Sequence, residues 1–328
     1  MKISPNYKLS VLSEEEYTQQ MPDISRQLEQ VRQEGTFSGF DGKELYYEYF
    51  LSENARGTVV VVHGLSEFTR KFYEFAWYML NQGFHVFLYD QRGHGRSCRM
   101  TPCPDMLHVD HFSHYQKDLN CFITSVVRKA VDGPMDGPMY LFAHSMGCAA
   151  AAQYLAKHPD VFEKAVFSAP MIEPMTRGVP AWVASAALSF CTLFTKGKSR
   201  VWFANEFDPD FPFERSHDKS YARFKRNMDI RVSDAHYRTT PLSLRLAQQT
   251  VVQRFKLTRK GFLNKITTPI LMICAQYEDM VSAEAQALFA KKCSVCKQMT
   301  LPDAYHGMLC GTQETLRAYM QAILDHFC

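Results

Sequence analysis

The stretch Tyr140-Leu-Phe-Ala-His-Ser145-Met-Gly-Cys148 decides the fold that this sequence predicts. An apolar run, 139–142, ends in it, and a run of small residues, 148–156, continues from it. The pattern predicts a strand, a sharp turn with Ser145 at its apex, and a helix, which is the context of a nucleophile elbow. Small residues must flank so tight a turn, and Ala143 and Gly147 do. An ordinary strand-to-helix turn remains the alternative, because Ala143 stands where the usual G-x-S-x-G pattern has glycine.

The composition is that of a globular protein with one large core. The chain has 328 residues, of which 46% are hydrophobic, so we expect one domain, or one domain with an insertion. The first ten residues are too polar for a signal peptide, and no apolar run reaches the roughly 18 residues of a membrane span. Ten cysteines without a secretion signal predict reduced thiols and a cytoplasmic location.

The strand and helix patterns alternate along the chain on both sides of the elbow. The dipeptide Asp41-Gly42 separates two apolar runs and predicts a β-hairpin. From 58–62 onward, apolar strands alternate with helical segments, which predicts an α/β fold with a mostly parallel sheet flanked by helices. An amphipathic helical lead-in, 1–34, precedes this body.

The regular alternation is interrupted between Pro170 and Pro269, where prolines, aromatic residues and basic residues become frequent. We therefore expect an inserted cap at 171–265 and an α/β core made of 35–170 and 266–328. The stretch 181–194 is almost wholly apolar but too short to span a bilayer. It can line an acyl tunnel, lie on a membrane, or pack against the body as core.

Charge is unevenly distributed between the expected cap and the rest of the chain. Residues 171–265 hold 17 Lys and Arg against 8 Asp and Glu, whereas the remainder holds 20 against 26, and the whole chain carries only +3. This asymmetry indicates either an anionic partner, such as a membrane surface, or a solvated basic face. We expect no nucleic acid partner, because no long Lys/Arg run or binding motif occurs.

Three residues far apart in the sequence fit the chemistry of an activated serine. A serine hydroxyl needs a neighbouring base, and that base needs a carboxylate to orient it. In this architecture the order along the chain is Ser, then Asp or Glu, then His. Ser145, Asp279 and His306 each follow a predicted strand in this order, and the strand before Asp279 is predicted to end at Ala275. Glu278 is the rival carboxylate, and Asp279 is favoured.

The same chemistry requires two N–H donors for an oxyanion. One is the N–H of Met146, directly after the serine, and the other is expected in the loop that follows an early strand. His63-Gly64-Leu65 occupies that loop, so we assign the N–H of Leu65. His144 lies beside the serine in a tight turn, and we expect it to have a packing role. No metal or organic cofactor is required.

Four stretches together resemble the α/β-hydrolase family of monoacylglycerol lipases and bacterial lysophospholipases, closest to the lysophospholipase branch. They are Val62-His-Gly-Leu-Ser-Glu67, Tyr89-Asp-Gln-Arg-Gly-His-Gly-Arg-Ser97, Ala143-His-Ser-Met-Gly147 and Ala304-Tyr-His306. The branch is similar also at Ser168-Ala-Pro-Met171 and Tyr221-Ala-Arg-Phe-Lys-Arg-Asn227. Cys148 departs from a frequent glycine, and most of the cap sequence is particular to this chain.

The resemblance implies the α/β-hydrolase fold and hydrolysis of a fatty acyl ester from a lysophospholipid, by a protein peripheral to the inner membrane. By motif, the nucleophile, acid and base of the family correspond to Ser145, Asp279 and His306. A monoacylglycerol lipase or general carboxylesterase is the alternative enzyme, and a catalytically silent binding module on the same fold is the alternative outside catalysis.

Overall fold

The computed structural model describes residues 2–130, 137–176, 178–202, 204 and 206–328. Eight strands form one sheet: β1 Gln33–Ser38, β2 Glu44–Phe50, β3 Gly57–Val62, β4 Phe84–Tyr89, β5 Met139–His144, β6 Lys164–Ser168, β7 Ile270–Tyr277 and β8 Cys296–Tyr305. Their order across the sheet is β1-β2-β4-β3-β5-β6-β7-β8. In this order, the six strands β4, β3, β5, β6, β7 and β8 pair in parallel with their neighbours. At the other edge, β1 pairs antiparallel with β2, and β2 pairs antiparallel with β4.

Helices cover both faces of this sheet. They are α1 Glu14–Val31, α2 Tyr73–Asn81, α3 Ser113–Phe122, α4 Arg128–Ala130, α5 Met146–Leu155, α6 Ala181–Thr195, α7 Tyr221–Ser233, α8 Leu244–Val251, α9 Gln253–Leu257, α10 Lys260–Leu263, α11 Ala283–Lys292 and α12 Gln313–Phe327. A π-helical stretch, Ile123–Val127, joins α3 to α4. The α/β architecture predicted from the alternation is confirmed.

The sheet separates two hydrophobic clusters, and β3 shows why its residues are apolar without interruption. Val60 and Val62 belong to the cluster that contains residues of α3 and α5, whereas Val59 and Val61 belong to the cluster that contains residues of α1, α2 and α12. Successive side chains of a strand point to opposite faces, so a strand covered on both faces must be apolar throughout.

The amino-terminal part of the chain is held against this body. A capping box between Ser13 and Glu16 begins α1, and Tyr17, Met21 and Leu28 on its buried face join the cluster around α2. The expected hairpin is confirmed as well, since β1 pairs with β2 and Gly42 lies between them with φ +79°.

Helices α6 to α10 lie between β6 and β7 in the chain, and α6 and α8 build a small cluster of their own. Its buried members are Ala181, Leu188, Val201, Leu244, Ala247 and Val251. Most of α6 remains outside it: Trp182, Phe190, Leu193 and Phe194 are 68%, 63%, 77% and 74% exposed. Within the described part of the chain, no helix has the length and apolar character needed to cross a membrane.

Candidate active site

The strand, turn and helix predicted around Ser145 are confirmed, and the turn is strained. Ser145 has φ +51° and ψ −118°, a region that residues with a side chain rarely occupy. A Cβ at position 147 would lie 2.5 Å from the carbonyl oxygen of His63 and closer still to that of Val62. Glycine is therefore required there, because α5 begins directly against the end of β3. The departure at Cys148 is accommodated, since its thiol points to the carbonyl of Ala143 at 3.2 Å.

Ser145 and His306 are brought together as the sequence predicted. The Nε2 atom of His306 lies 2.9 Å from the Oγ atom of Ser145. His306 comes directly after β8, and Ser145 directly after β5, so both project from the carboxyl edge of the sheet. Ser145 is only 9% exposed. The hydroxyl is thus shielded from water and within hydrogen-bonding distance of a base.

The carboxylate that meets this histidine is Glu278, which corrects the preference for Asp279. Both carboxylate oxygens of Glu278 lie 2.9 Å from Nδ1 of His306. A carboxylate only accepts, so Nδ1 carries the proton and Nε2 is left to accept the hydroxyl of Ser145. Asp279 is 47% exposed at its side chain and instead pairs with His217 at 3.0 Å.

The length of β7 explains why the neighbouring acid occupies this position. The sequence predicted a strand that ends at Ala275, but β7 continues to Tyr277, with a register shift against β8 between these two residues. Glu278 is therefore the first residue beyond the strand. The N–H groups of Met280 and Val281 donate to Oε1 of Glu278 at 2.9 and 3.3 Å, which stabilises the anion and fixes the loop.

The loop after β3 lies against the nucleophile, where an oxyanion donor is needed. A Cβ on Gly64 would lie 3.0 Å from the Cβ of Ser145. Among the residues that the structure describes, the N–H groups of Leu65 and Met146 have no acceptor. Met146 is the first residue of α5, where helix geometry leaves N–H groups unpaired. Both N–H groups are therefore free to donate to a ligand, as the donors of an oxyanion hole must be.

The glycine-rich turn after β4 holds that loop from behind. The N–H of Gln91 donates to Nε2 of His63 at 2.9 Å, and the side-chain amide of Gln91 donates to the carbonyl of His63 at 2.6 Å. Next to it, Asp90 accepts from the N–H groups of Thr69 and Arg96, both at 2.8 Å. The turn is therefore structural, and it positions the main chain that leads to Leu65.

His144 has a larger role than the packing role that the sequence indicated. Its Nδ1 lies 2.8 Å from a carboxylate oxygen of Glu67, and its Nε2 lies 3.1 Å from the carbonyl oxygen of His306. Burial opposes the charge on Glu67, but His144 and Lys71 hold the pKa of that carboxyl well below its usual value. His144 thereby connects Glu67 to the main chain of His306.

We predict that Glu278→Gln lowers kcat by up to roughly 10⁴-fold, because the orienting acceptor for Nδ1 of His306 is removed. Steady-state kinetics on a chromogenic ester measures this. Asp279→Asn is the matched control and should retain kcat within about twofold, since Asp279 contacts only a surface histidine. The reverse ranking of the two variants would restore Asp279 as the acid.

We predict that His144→Leu lowers kcat by about 10- to 100-fold with little change in KM, because the main chain of His306 loses its anchor. His144→Gln offers one donor to the same carbonyl and should recover part of the loss. Thermal unfolding of both variants separates positioning from instability. Equal kcat values for wild type and His144→Leu would contradict the positioning role.

A family model described as Hydrolase_4, serine aminopeptidase S33, matches residues 53–313. The chain is 24% identical over 306 residues to lysophospholipase L2 of Escherichia coli strain K12, and this alignment covers 90% of this chain and 87% of that protein. It is 30% identical over 156 residues to a monoacylglycerol lipase of Mycolicibacterium smegmatis, which covers 47% of this chain and 52% of that protein.

Solved structures share the architecture at low sequence identity. A soluble variant of monoglyceride lipase from Saccharomyces cerevisiae, in complex with a substrate analogue, superposes with a TM-score of 0.67 at 18% identity, covering 89% of this chain and 94% of that one. Monoacylglycerol lipase of Paleococcus ferrophilus superposes with a TM-score of 0.63 at 20% identity, covering 86% of this chain and 99% of that one. The fold is the α/β-hydrolase fold, and since the family model spans most of its length, the chain belongs to the Hydrolase_4 family of serine hydrolases.

Proposed function

We propose that this protein removes the fatty acyl group from a lysophospholipid, with Ser145 as nucleophile, His306 as base and Glu278 as the orienting acid. The single observation that carries this proposal is the continuous hydrogen-bonded path from Oγ of Ser145 through the imidazole of His306 to Glu278, with each step at 2.9 Å. Such a path is what makes a serine alcohol reactive at neutral pH.

In the proposed reaction, His306 takes the hydroxyl proton while Oγ of Ser145 bonds to the acyl carbon. The N–H groups of Leu65 and Met146 stabilise the negative charge on the acyl oxygen, and each such donor contributes about 3 kcal/mol in the transition state. The bond to the glycerol oxygen then breaks, and His306 protonates that leaving oxygen. A water, deprotonated by His306, cleaves the acyl-enzyme and releases the fatty acid.

Two features support a lipid as the acyl donor. The relative similar over most of the chain is named lysophospholipase L2. Four large apolar side chains of α6 are also well exposed, an unusual surface for a protein with only water-soluble substrates. A monoacylglycerol lipase is the second candidate, and the monoacylglycerol lipase of Mycolicibacterium smegmatis favours it.

We predict that Ser145→Ala lowers acyl-ester turnover by about 10⁴-fold or more while leaving the fold intact, because the nucleophile is lost and the turn keeps its small flanking residues. The measurement uses a panel of one acyl chain on different carriers: lysophospholipid, monoacylglycerol, short p-nitrophenyl ester and aminoacyl anilide. Covalent labelling by a fluorophosphonate should occur in the wild type alone.

The outcomes of this panel separate the alternatives. Faster turnover of the anilide than of the esters would favour aminopeptidase chemistry, after which the family is described. Equal turnover of lysophospholipid and monoacylglycerol would favour a lipase without headgroup recognition. Absence of labelling in the wild type would favour a binding module, and undiminished turnover in Ser145→Ala would end the proposal.

We propose further that 171–265 acts as a cap over the core of 35–170 and 266–328, with 1–34 as a lead-in, and that α6 lies on the cytoplasmic surface of a membrane. The cap proposal is supported by the position of α6 to α10 between β6 and β7. Lys196 and Lys198 directly follow α6 and are exposed, so cations border its apolar surface. All ten cysteines are free thiols, which supports a reducing compartment.

We predict that Leu193→Ser with Phe194→Ser lowers binding to anionic lipid vesicles by at least about 10-fold, because two exposed apolar side chains no longer enter the interface. Co-sedimentation measures the bound fraction, and hydrolysis of a short soluble ester should stay unchanged. Val232→Ser, at an exposed position on α7, is the control. Unchanged sedimentation of the double variant, or recovery of the native protein from a periplasmic fraction, would contradict this placement.

A further inference from the structure

A cavity of about 590 Å³ is lined by residues of both polar and apolar character, among them Ser66 of the loop that lies against Ser145. Ten of its fifteen lining residues carry polar or charged side chains, among them Lys71, Arg231 and Asp208. An acyl chain requires an apolar lining, so this cavity suits the other part of an amphiphilic ester. Its size is sufficient for a small polar headgroup.

Two contacts place the cavity on the side of the leaving group. Ser66 lines it one residue beyond Leu65, in the loop that lies against Ser145. Asp218 also lines it, and Oδ1 of Asp218 would lie 3.1 Å from a Cβ on Gly307, the residue after His306. Since His306 protonates the departing oxygen in the proposed reaction, a leaving group in this cavity stays near the loop that carries His306.

Arg231 is the unusual residue of this cavity. Its Nε donates to the carbonyl of Tyr237 at 3.0 Å, one Nη lies 3.5 Å from the carbonyl of Thr239, and the guanidinium lies over the ring of Phe207 at 4.8 Å. These contacts fix its direction without neutralising it. In the described ranges no carboxylate lies within 4 Å of it.

Burial also lowers the pKa of Arg231 to about 10, opposed only by Glu67. Two fully buried arginines, by contrast, are paired with carboxylates: Arg92 with Asp118 and Asp41, and Arg223 with Glu74. A partly desolvated cation without a counter-ion is costly, and an anionic ligand removes that cost. Phosphate suits it best, because a planar guanidinium can donate two parallel hydrogen bonds to phosphate oxygens.

Carboxylates in the lining, here called the acidic wall, limit the kind of phosphate that fits. Asp208 and Glu206 line the cavity and are exposed, Glu206 being paired with Arg200, and Asp218 lines it next to the loop that carries His306. These carboxylates repel a headgroup that carries only negative charge. They attract an ammonium group, so the wall favours a zwitterion whose amine lies several bonds beyond the phosphate.

We propose that this cavity binds the zwitterionic phosphodiester headgroup of a lysophospholipid, with Arg231 on the phosphate and the acidic wall facing the amine. The inference rests on the proposed function, since it assigns the leaving-group side of the same reaction. Arg231 acts in it as the specificity residue that distinguishes a lysophospholipid from a monoacylglycerol.

The test compares kcat/KM on lysophosphatidylcholine and on the monoacylglycerol with the same acyl chain, for wild type, Arg231→Gln and Arg226→Gln. Arg231→Gln should lose about 10- to 100-fold on the lysophospholipid, as for a lost charge-assisted hydrogen bond, and less than about threefold on the monoacylglycerol. Arg226→Gln removes the same charge from the same helix, but its side chain contacts Ser25, so both rates should stay unchanged.

Equal losses on both substrates, or no loss on lysophosphatidylcholine, would overturn the headgroup assignment. Lysophosphatidic acid, which lacks the amine, should be a poorer substrate than lysophosphatidylcholine, and the opposite order would overturn the role of the acidic wall. If Ser145→Ala abolishes turnover of every ester while Arg231→Gln leaves the preference unchanged, the headgroup inference fails and the proposed function stands.

Binding tests the inference without turnover. In the Ser145→Ala background, a 1-O-alkyl glycerophosphocholine, whose ether bond cannot be hydrolysed, should bind at least about 10-fold more weakly once Arg231→Gln is added. The corresponding 1-O-alkylglycerol should bind equally to both. Equal affinity of both variants for the phosphocholine ether would overturn the proposal even if no ester were a substrate.

Discussion

The close approach of α5 to the end of β3 is the constraint on which the rest of the site depends. A side chain at position 147 would overlap the carbonyl groups of Val62 and His63, so only glycine permits this approach. The approach forces the positive φ of Ser145 and sets the N–H of Met146 beside the loop that carries Leu65. One packing contact thereby orients Ser145 and the N–H of Met146, which explains how strain in one residue is retained.

Paired charges then fix the histidine side of the site. The buried carboxylate of Glu67 accepts from Gly64 N–H and from Lys71, and it faces His144, which in turn reaches the carbonyl of His306. This network links the oxyanion loop to the loop of the base. Removing one partner from such a buried group leaves an uncompensated charge, which typically costs 3–5 kcal/mol. The network therefore makes the geometry of the two loops interdependent.

Sequence patterns predicted the features that depend on local chemistry. Apolar strands, small residues around Ser145 and the Asp-Gly hairpin each carry a period or a turn signal, and the structure confirms them. The carboxylate was wrong because the end of β7 depends on pairing with β8, which adds two residues that no local pattern indicates. At a strand end, a displacement of one position exchanges Glu278 for Asp279.

The role of His144 and the cavity around Arg231 were missed for a related reason. Partners such as Glu67, His306 and Tyr237 lie far along the chain from the residues that they contact, so no spacing in the sequence relates them. The basic excess of 171–265 was a partial signal for the cavity, because it indicated either an anionic partner or a solvated basic face. It did not show that cations of that segment are exposed or form ion pairs with carboxylates. Arg231 differs, because no carboxylate of the described residues lies within 4 Å of its guanidinium.

The separation of apolar and polar surface accounts for the kind of molecule that this site can select. Apolar surface is concentrated on α6, where Leu193 and Phe194 are exposed, whereas the cavity beside His306 is lined by charges of both signs. Hydrophobic burial is not directional and supplies affinity for any acyl chain, whereas paired charges in a partly desolvated cavity discriminate among headgroups. Selectivity among acyl esters should therefore reside in the cavity and affinity for lipid aggregates in α6. The two properties can then change independently, because no residue of α6 lines the cavity among those that the structure describes.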